Sequence, residues 1–308
     1  METVLAQTYK NIEVLVTDDG STDNSLNLLN KIAAGDSRVT VLTQENMNAS
    51  VARNKAIAHA KGEFFLFMDS DDTMYPDAIE VLVEAQQEFN ADLVIGNMDE
   101  FINDHEMTAV DEFFKERGVG EDFRDFLDIL PAVPNKLYKA SIVREKHVNF
   151  GNVRIGQDTN FFLKYLCCCK RIAYIPNIIF SWRLIPTSVT HAMDFHIFDI
   201  TNSFANTKKF YIKNGMEKEY MDYIRLFEYR TYYSQMDKQR KFKTRQERLL
   251  VANYFDYHLK QLGDVRTCPQ YEKYKSVIKK CKMKQRMKWL YTTKLFAAFY
   301  NYKNRNII

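Results

Sequence analysis

Between residues 12 and 96, short β-branched or apolar runs alternate with stretches of helical spacing, and this alternation constrains the fold more than any other feature. Residues 12–17, 38–43, 63–68 and 92–96 read as strands. Residues 23–34, 50–60 (with Ser50 as its cap) and 76–89 read as helices. Strand, crossover helix and strand at this spacing predict an α/β domain on a doubly wound, mostly parallel sheet. Ligands of such sheets sit beyond the carboxyl ends of the strands. The third run, Phe65-Leu-Phe-Met-Asp-Ser-Asp-Asp72, passes at such an end from continuous apolar residues to three carboxylates within four positions. Side chains alternate along a strand, so Asp69 and Asp71 could share a face. Like charges so close need a positive partner.

The middle is less regular, with helices expected over 121–129 and 157–169 and short strands over 172–175 and 178–183. Beyond 195 the pattern is helical and aromatic-rich. The expected division is therefore 1–98, an α/β half; 99–194, the less regular half of the same domain; and 195–308, a helical, basic extension.

At 46% apolar and 27% charged residues the chain is globular in composition, which excludes disordered and fibrous classes. Its net charge of +3 conceals an asymmetry. Residues 270–308 hold eleven Lys or Arg against one Glu, a local charge of +10 that leaves −7 on residues 1–269. In this tail Met283, Met287, Leu290, Leu295, Ala298 and Phe299 recur at helical steps. Either a terminal helix packs on the body with a solvated charged face, or an interfacial helix is drawn to an anionic membrane. Nucleic acid fits less well, since no binding module accompanies the charge. Five Cys, three of them at 167–169, lack any zinc-ligand spacing and read as core residues in a reducing compartment. With no secretory signal pattern and no apolar run of the ~20 residues a bilayer requires, a cytoplasmic protein is expected.

Three segments could carry chemistry. In Thr17-Asp-Asp-Gly-Ser-Thr-Asp23, the local reading is a strand end, an Asp-Gly turn and a helix cap. The functional one has Asp19 accepting hydrogen bonds from a base or sugar, with Asp18 a structural acceptor. Arg53 opens a helix, where its charge opposes the dipole. It is either a surface arginine or a cleft residue whose planar fork meets a nucleotide. Asp69-Ser-Asp-Asp72 is either an acidic strand end or a site for a hard cation, Mn2+ or Mg2+, shared with substrate phosphates. Neither a Walker loop nor a dinucleotide fingerprint is present.

In this order, these pieces resemble the nucleotide-binding half of family 2 glycosyltransferases of the GT-A fold. The likeness runs through Gln7-Thr-Tyr-Lys-Asn-Ile-Glu-Val-Leu-Val-Thr-Asp-Asp-Gly-Ser-Thr-Asp-Asn-Ser25, Glu45-Asn46, Ala52-Arg-Asn54, Lys61-Gly-Glu63 and Met68-Asp-Ser-Asp-Asp72. It continues at Asn135-Lys-Leu-Tyr138, Gly156-Gln-Asp158 and Trp182-Arg183 with Ser188. The resemblance implies that Asp19 contacts the base of a nucleotide-sugar, most often uracil, with Arg53 helping. Asp69 and Asp71 would be the DXD pair, Asp71 approaching the metal and Asp69 the ribose or metal shell. Asp158 would be the general base of an inverting transfer, although Asp in a helical first turn is also favourable for local reasons alone. Arg183 would lie near the diphosphate. Tyr138, Gln157, Asp72 and His191 are candidates for the cleft and acceptor contacts. Gly-Gln-Asp stands where Gly-Glu-Asp is common, which removes a like charge beside Asp158.

The resemblance also implies an apolar strand and the first part of a helix ahead of Met1, without which the sheet would carry a gap with open edges. The expected activity is metal-dependent, inverting transfer from a nucleotide diphosphate, UDP in most relatives, to a saccharide or lipid-linked saccharide in surface polysaccharide synthesis. The expected place is the cytoplasm, at the inner face of the plasma membrane. The rival reading is a non-catalytic, membrane-associated assembly protein with a degenerate glycosyltransferase fold.

Overall fold

The computed structural model describes residues 1–102, 107–111 (backbone), 114–127, 129–184, 195–269 and 271–272. The chain divides into two compact units. The first comprises Met1–Ala192 and Phe198–Phe210, the second Met193–Ile197 and the residues from Tyr211 on.

The first unit opens with α1 (Glu2–Leu5), β1 (Val14–Asp18), α2 (Ser25–Gly35), β2 (Val39–Thr43) and α3 (Ala49–His59). Next come β3 (Phe64–Phe65), β4 (Thr73–Met74), α4 (Ala78–Phe89), β5 (Leu93–Phe101), β6 (Met107–Asp111) and β7 (Gly118–Gly120). It continues through β8 (Lys136–Lys139), α5 (Ala140–Glu145), α6 (Gln157–Leu166) and β9 (Ile172–Arg183) into α7 (Asp199–Lys213).

The α/β layout is as expected, but the main sheet is mixed. Seven strands run β3-β8-β5-β9-β4, with β6 on β5 and β7 on β9. Of the pairings in this sheet only β5–β9 is parallel; the others are antiparallel. Only a parallel pair needs a long crossover, and most strands added around β5 and β9 are short. The other parallel pair, β1–β2, forms a two-stranded sheet of its own, in register from Val14↔Val39 to Asp18↔Thr43.

Local outcomes follow from partners. The strand expected over 63–68 is restricted to Phe64 and Phe65, which have β8 as their one partner. The two strands expected over 172–183 are one, β9. Its register against β5 shifts between Ile95 and Met98, where Pro176 cannot donate to the ladder. Gly96 lies at that shift, and a Cβ there would meet Ile179 Cγ1 at 2.8 Å. The helix expected over 121–129 is one 3₁₀ turn, Phe123–Phe126, since so short an isolated helix cannot recover its nucleation cost. Asn48, not Ser50, caps α3, accepting from Ser50 N at 3.0 Å and Val51 N at 3.3 Å. The helix expected over 157–169 ends at Leu166.

The core lies between α4 and the β5–β9 pair, where Ala78, Leu82, Val94, Met98, Ile179 and Phe180 are buried. A second, aromatic cluster joins Phe67, Tyr138, Phe150, Phe161 and Tyr165, with Phe150 stacked on Phe161 at 4.3 Å. Full burial of one such ring stabilises by roughly 2–3 kcal/mol, so this cluster makes a stiff floor beneath the residues described next.

The second unit contains α8 (Glu217–Asp237) and α9 (Arg245–Gln261). Thr244 and Glu247 form a reciprocal cap at the start of α9, and Tyr232 packs against Phe255. Among the described residues no helix is long and apolar enough to cross a membrane. The periodic segment 283–299, His191 and Ser188 lie outside the described residues.

Candidate active site

The carboxyl end of β1 turns at Gly20, whose φ of +73° suits glycine and whose missing Cβ leaves room for Asn46 N, which it would meet at 2.8 Å. Asp18 is buried and accepts from Ser21 N at 3.3 Å. Asp19 fastens the loop after β2: its oxygens accept from Gln44 Nε2 (2.8 Å), Met47 N (2.8 Å) and Asn48 N (2.9 Å). A carboxylate offers about four lone-pair sites, so three bonds leave it capacity for one more donor. Asn48 holds φ at +89° and ties this wall to the body through Asn152 at 2.7 Å. Sequence reasoning passed over Asn48, since a polar residue ahead of a helix is commonplace.

Arg53 is not beside Asp19. From α3 its guanidinium reaches inward across the Phe150 ring, 5.2 Å from the centroid. It pairs with Asp69, donates to Gln157 Oε1 at 2.9 Å and stands 3.5 Å from Asp158 Oδ1. With its side chain 16% exposed, this cation is largely withdrawn from water and needs such partners.

The segment after β3 spreads its carboxylates. Asp69 is held by Arg53, and Asp71 is exposed. Asp72 is buried, accepts from Arg183 N at 2.8 Å, and has its pKa pushed up to about 7 by burial. The nearby charges of Asp71 and Asp69 add to that rise, while the Arg183 amide opposes it. Arg183, at the end of β9, donates from Nε to Asp71 O at 2.8 Å and lies over the Phe101 ring at 4.4 Å. Its backbone and side chain thus fix the Asp71–Asp72 turn.

Asp158 begins α6. Burial pushes its carboxyl up, against the lowering influence of Arg53, while Asp69 raises it further. Val133 N donates to Asp158 Oδ2 at 3.4 Å, and Lys136 adds a smaller lowering influence. Gln157 turns its amide oxygen to Arg53 and its nitrogen to Arg154 O at 3.3 Å. Tyr138 is fully buried in the aromatic cluster, with Asp158 and Arg53 near enough to act on its hydroxyl. Its position in β8, paired to β5, turns the ring into the core.

Among the described residues no three His, Cys, Asp or Glu converge as a closed metal cage. What is present suits a hard cation held from one side: Asp71 is exposed, with Asp69 two residues away. Mg2+ and Mn2+ accept such sites when phosphate and water complete the shell. Exposed Asp71, beside a buried Asp72 whose proton affinity the charges of Asp71 and Asp69 help to raise, is the observation that makes the fit.

A family model described as glycosyl transferase family 2 matches residues 1–154, half of the chain. The chain belongs to glycosyl transferase family 2. Among curated family members, it is 33% identical over 198 residues to glycosyltransferase GlyG of Streptococcus pneumoniae, covering 59% of this chain and 64% of that one. It is 30% identical over 164 residues to the poly(ribitol-phosphate) beta-glucosyltransferase of Bacillus spizizenii, covering 52% of this chain and 25% of that one. The chain thus spans less than two thirds of the length of these relatives. In fold it is similar to the crystal structure of S. aureus TarS 1-349 in complex with UDP-GlcNAc. That match has a TM-score of 0.55 at 18% identity and covers 88% of this chain and 86% of the other. The architecture is accordingly the α/β, GT-A-like one of the family, with a mixed sheet.

Proposed function

We propose that this chain transfers a sugar, with inversion, from a nucleotide diphosphate donor to a hydroxyl of a saccharide or lipid-linked saccharide in surface polysaccharide synthesis. The observation that carries this reading is the single guanidinium of Arg53 joining Asp69 to Asp158. It couples a carboxylate suited to the donor side with one suited to take a proton. The UDP-GlcNAc bound to TarS supports UDP as the nucleotide, and the name of one relative, a poly(ribitol-phosphate) beta-glucosyltransferase, supports sugar transfer to a polymer.

On this reading Asp19, which organises the 44–48 loop, offers its remaining lone pair to the base. Asp71, helped by Asp69, holds the Mn2+ or Mg2+ ion, and Arg183 steadies that turn. A bound divalent cation supplies positive charge against the diphosphate as it leaves. Asp158, whose ionised form the Arg53 guanidinium favours against burial, takes the proton of the acceptor hydroxyl as that oxygen attacks the anomeric carbon and the diphosphate leaves. One in-line displacement requires one base and no protein nucleophile, so the configuration inverts. The basic residues of 270–308 would bring the protein to anionic lipid, where a lipid-linked acceptor resides.

The test is calorimetric titration of UDP, with and without Mn2+, into the wild type and Asp71→Asn. Metal-dependent binding that the substitution removes is expected. Equal binding by both proteins in the presence of metal would remove Asp71 from the site. Absence of binding with UDP and likewise with GDP would favour the non-catalytic reading.

A further inference from the structure

Lys136, the lysine of the Asn135-Lys-Leu-Tyr138 segment, has no exposed surface, and the proposed chemistry gives it no role. Its Nζ donates to Leu130 O at 3.0 Å, Ala132 O at 2.5 Å and Asn135 Oδ1 at 2.6 Å. Phe162 covers it from the other side, 5.0 Å from nitrogen to ring centroid. Three acceptors engage all three N–H groups of an ammonium, a set that a neutral amine cannot supply. Burial draws its pKa down to about 7, with nearby Asp158 acting the other way.

The arrangement has direction. Asn135 is locked to β5, donating to Gly96 O at 2.8 Å and accepting from Gly96 N at 3.1 Å through its backbone oxygen. From that anchor Lys136 gathers the carbonyls of residues 130 and 132 to a point. The next residue, Val133, then aims its N–H at Asp158 Oδ2. A buried ammonium is weak evidence for stability, because well-packed apolar residues often serve as well in its place. It is well suited to fixing a turn and setting a charge behind a carboxylate.

We infer that Lys136 is a positioning residue for Asp158, clamping the 130–133 turn so that the Val133 amide and the ammonium together favour the ionised carboxylate. This inference rests on Asp158 being the base, but its test does not. The groups facing Asp158 are Arg53 from α3, Asp69 from the segment after β3, Lys136 and buried Tyr138 from β8, and the Val133 amide. Lys136 is the one whose removal also releases the turn.

The experiment is carbon-detected NMR of the aspartate carboxyls across pH, on the full chain without metal, with Asp158→Asn assigning the signal. Wild type, Lys136→Met and Val133→Pro are compared, each first checked for folding by circular dichroism. In Lys136→Met the loss of a cation and of a clamped donor is expected to move the Asp158 midpoint upward by about one pH unit. Val133→Pro, which deletes the amide donor while leaving the Lys136 side chain in place, is expected to move it the same way by less. An unchanged midpoint in folded Lys136→Met overturns the inference. Should that variant fail to fold, an unchanged midpoint in Val133→Pro overturns it instead. If Asp158→Asn leaves sugar transfer intact, the base assignment fails, while the NMR comparison still decides the role of Lys136.

Discussion

Arg53 and Asp158 face each other at 3.5 Å, Nη1 to Oδ1, although one belongs to α3 and the other to the first turn of α6. A fixed cation at that distance favours the ionised carboxylate against the burial that penalises it. In Arg53→Met the carboxyl loses its main lowering influence, so its pKa rises and the base is ionised only at higher pH. The acid limb of the kcat profile for sugar transfer should move upward. At neutral pH kcat should fall by roughly 10²-fold, within the range for loss of a general base. An acid limb that stays in place would separate Arg53 from the proton-transfer step.

Asp72 makes a different prediction, about stability. Its pKa rises from an ordinary 3.8 to about 7 in the folded chain. Between those values the folded protein holds a proton that the unfolded chain has released. Stability therefore declines as pH climbs from about 4 to about 7 and is level above. At about 1.4 kcal/mol per pH unit, this one group costs at most a few kcal/mol at neutral pH. Asp72→Asn keeps an oxygen for the Arg183 amide and removes the titration. Urea melts should find it as stable as wild type at pH 4 and more stable at pH 8. A wild-type stability that does not decline over that interval would contradict the assignment.

Gly156 is the conformational requirement behind Asp158. It holds φ at +81°, and a Cβ there would meet Ile200 Cδ1 at 2.4 Å and Ser203 Oγ at 3.1 Å. Ser203 also donates to the Gly156 carbonyl at 2.7 Å. Gly156→Ala should cost about 1–3 kcal/mol from backbone strain alone, lower Tm, and reduce kcat more than it weakens donor binding. A Tm equal to wild type would mean that the turn relaxes freely.

Much of the first unit was legible because its signals are local. The helices α2, α3, α4 and α6 and the strands β1, β2 and β5 follow hydrophobic spacing and caps, and each lies where that spacing puts it to within a few residues. The sheet's direction was not legible, because whether a strand runs with or against β5 depends on connections that local pattern does not encode. In the site, Asp69 to Asp72 lie beyond the short β3 and not at its end, whereas the carboxylates at the end of β1 could be read from sequence. The destination of Arg53 could not, since one guanidinium can face either of two walls. Lys136 and Tyr138 lie two residues apart in β8, and nothing in their spelling says that the aromatic ring is core and the lysine buried with it.

The two-stranded sheet β1–β2 shares no ladder with the seven-stranded sheet. Side-chain bonds help tie it to the rest, among them Glu13 Oε1 accepting from Lys61 N and Gly62 N at 2.6 Å each, and Arg38 Nη2 donating to Leu5 O at 3.1 Å. Such ties open one at a time, whereas a ladder opens cooperatively. Amides of β1 and β2 should therefore exchange with deuterium sooner than those of β5 and β9. A molecule that touches Asp19 and Asp71 together would act as a cross-brace between two pieces that breathe separately, and its binding would be felt first as silence in the exchange of β1.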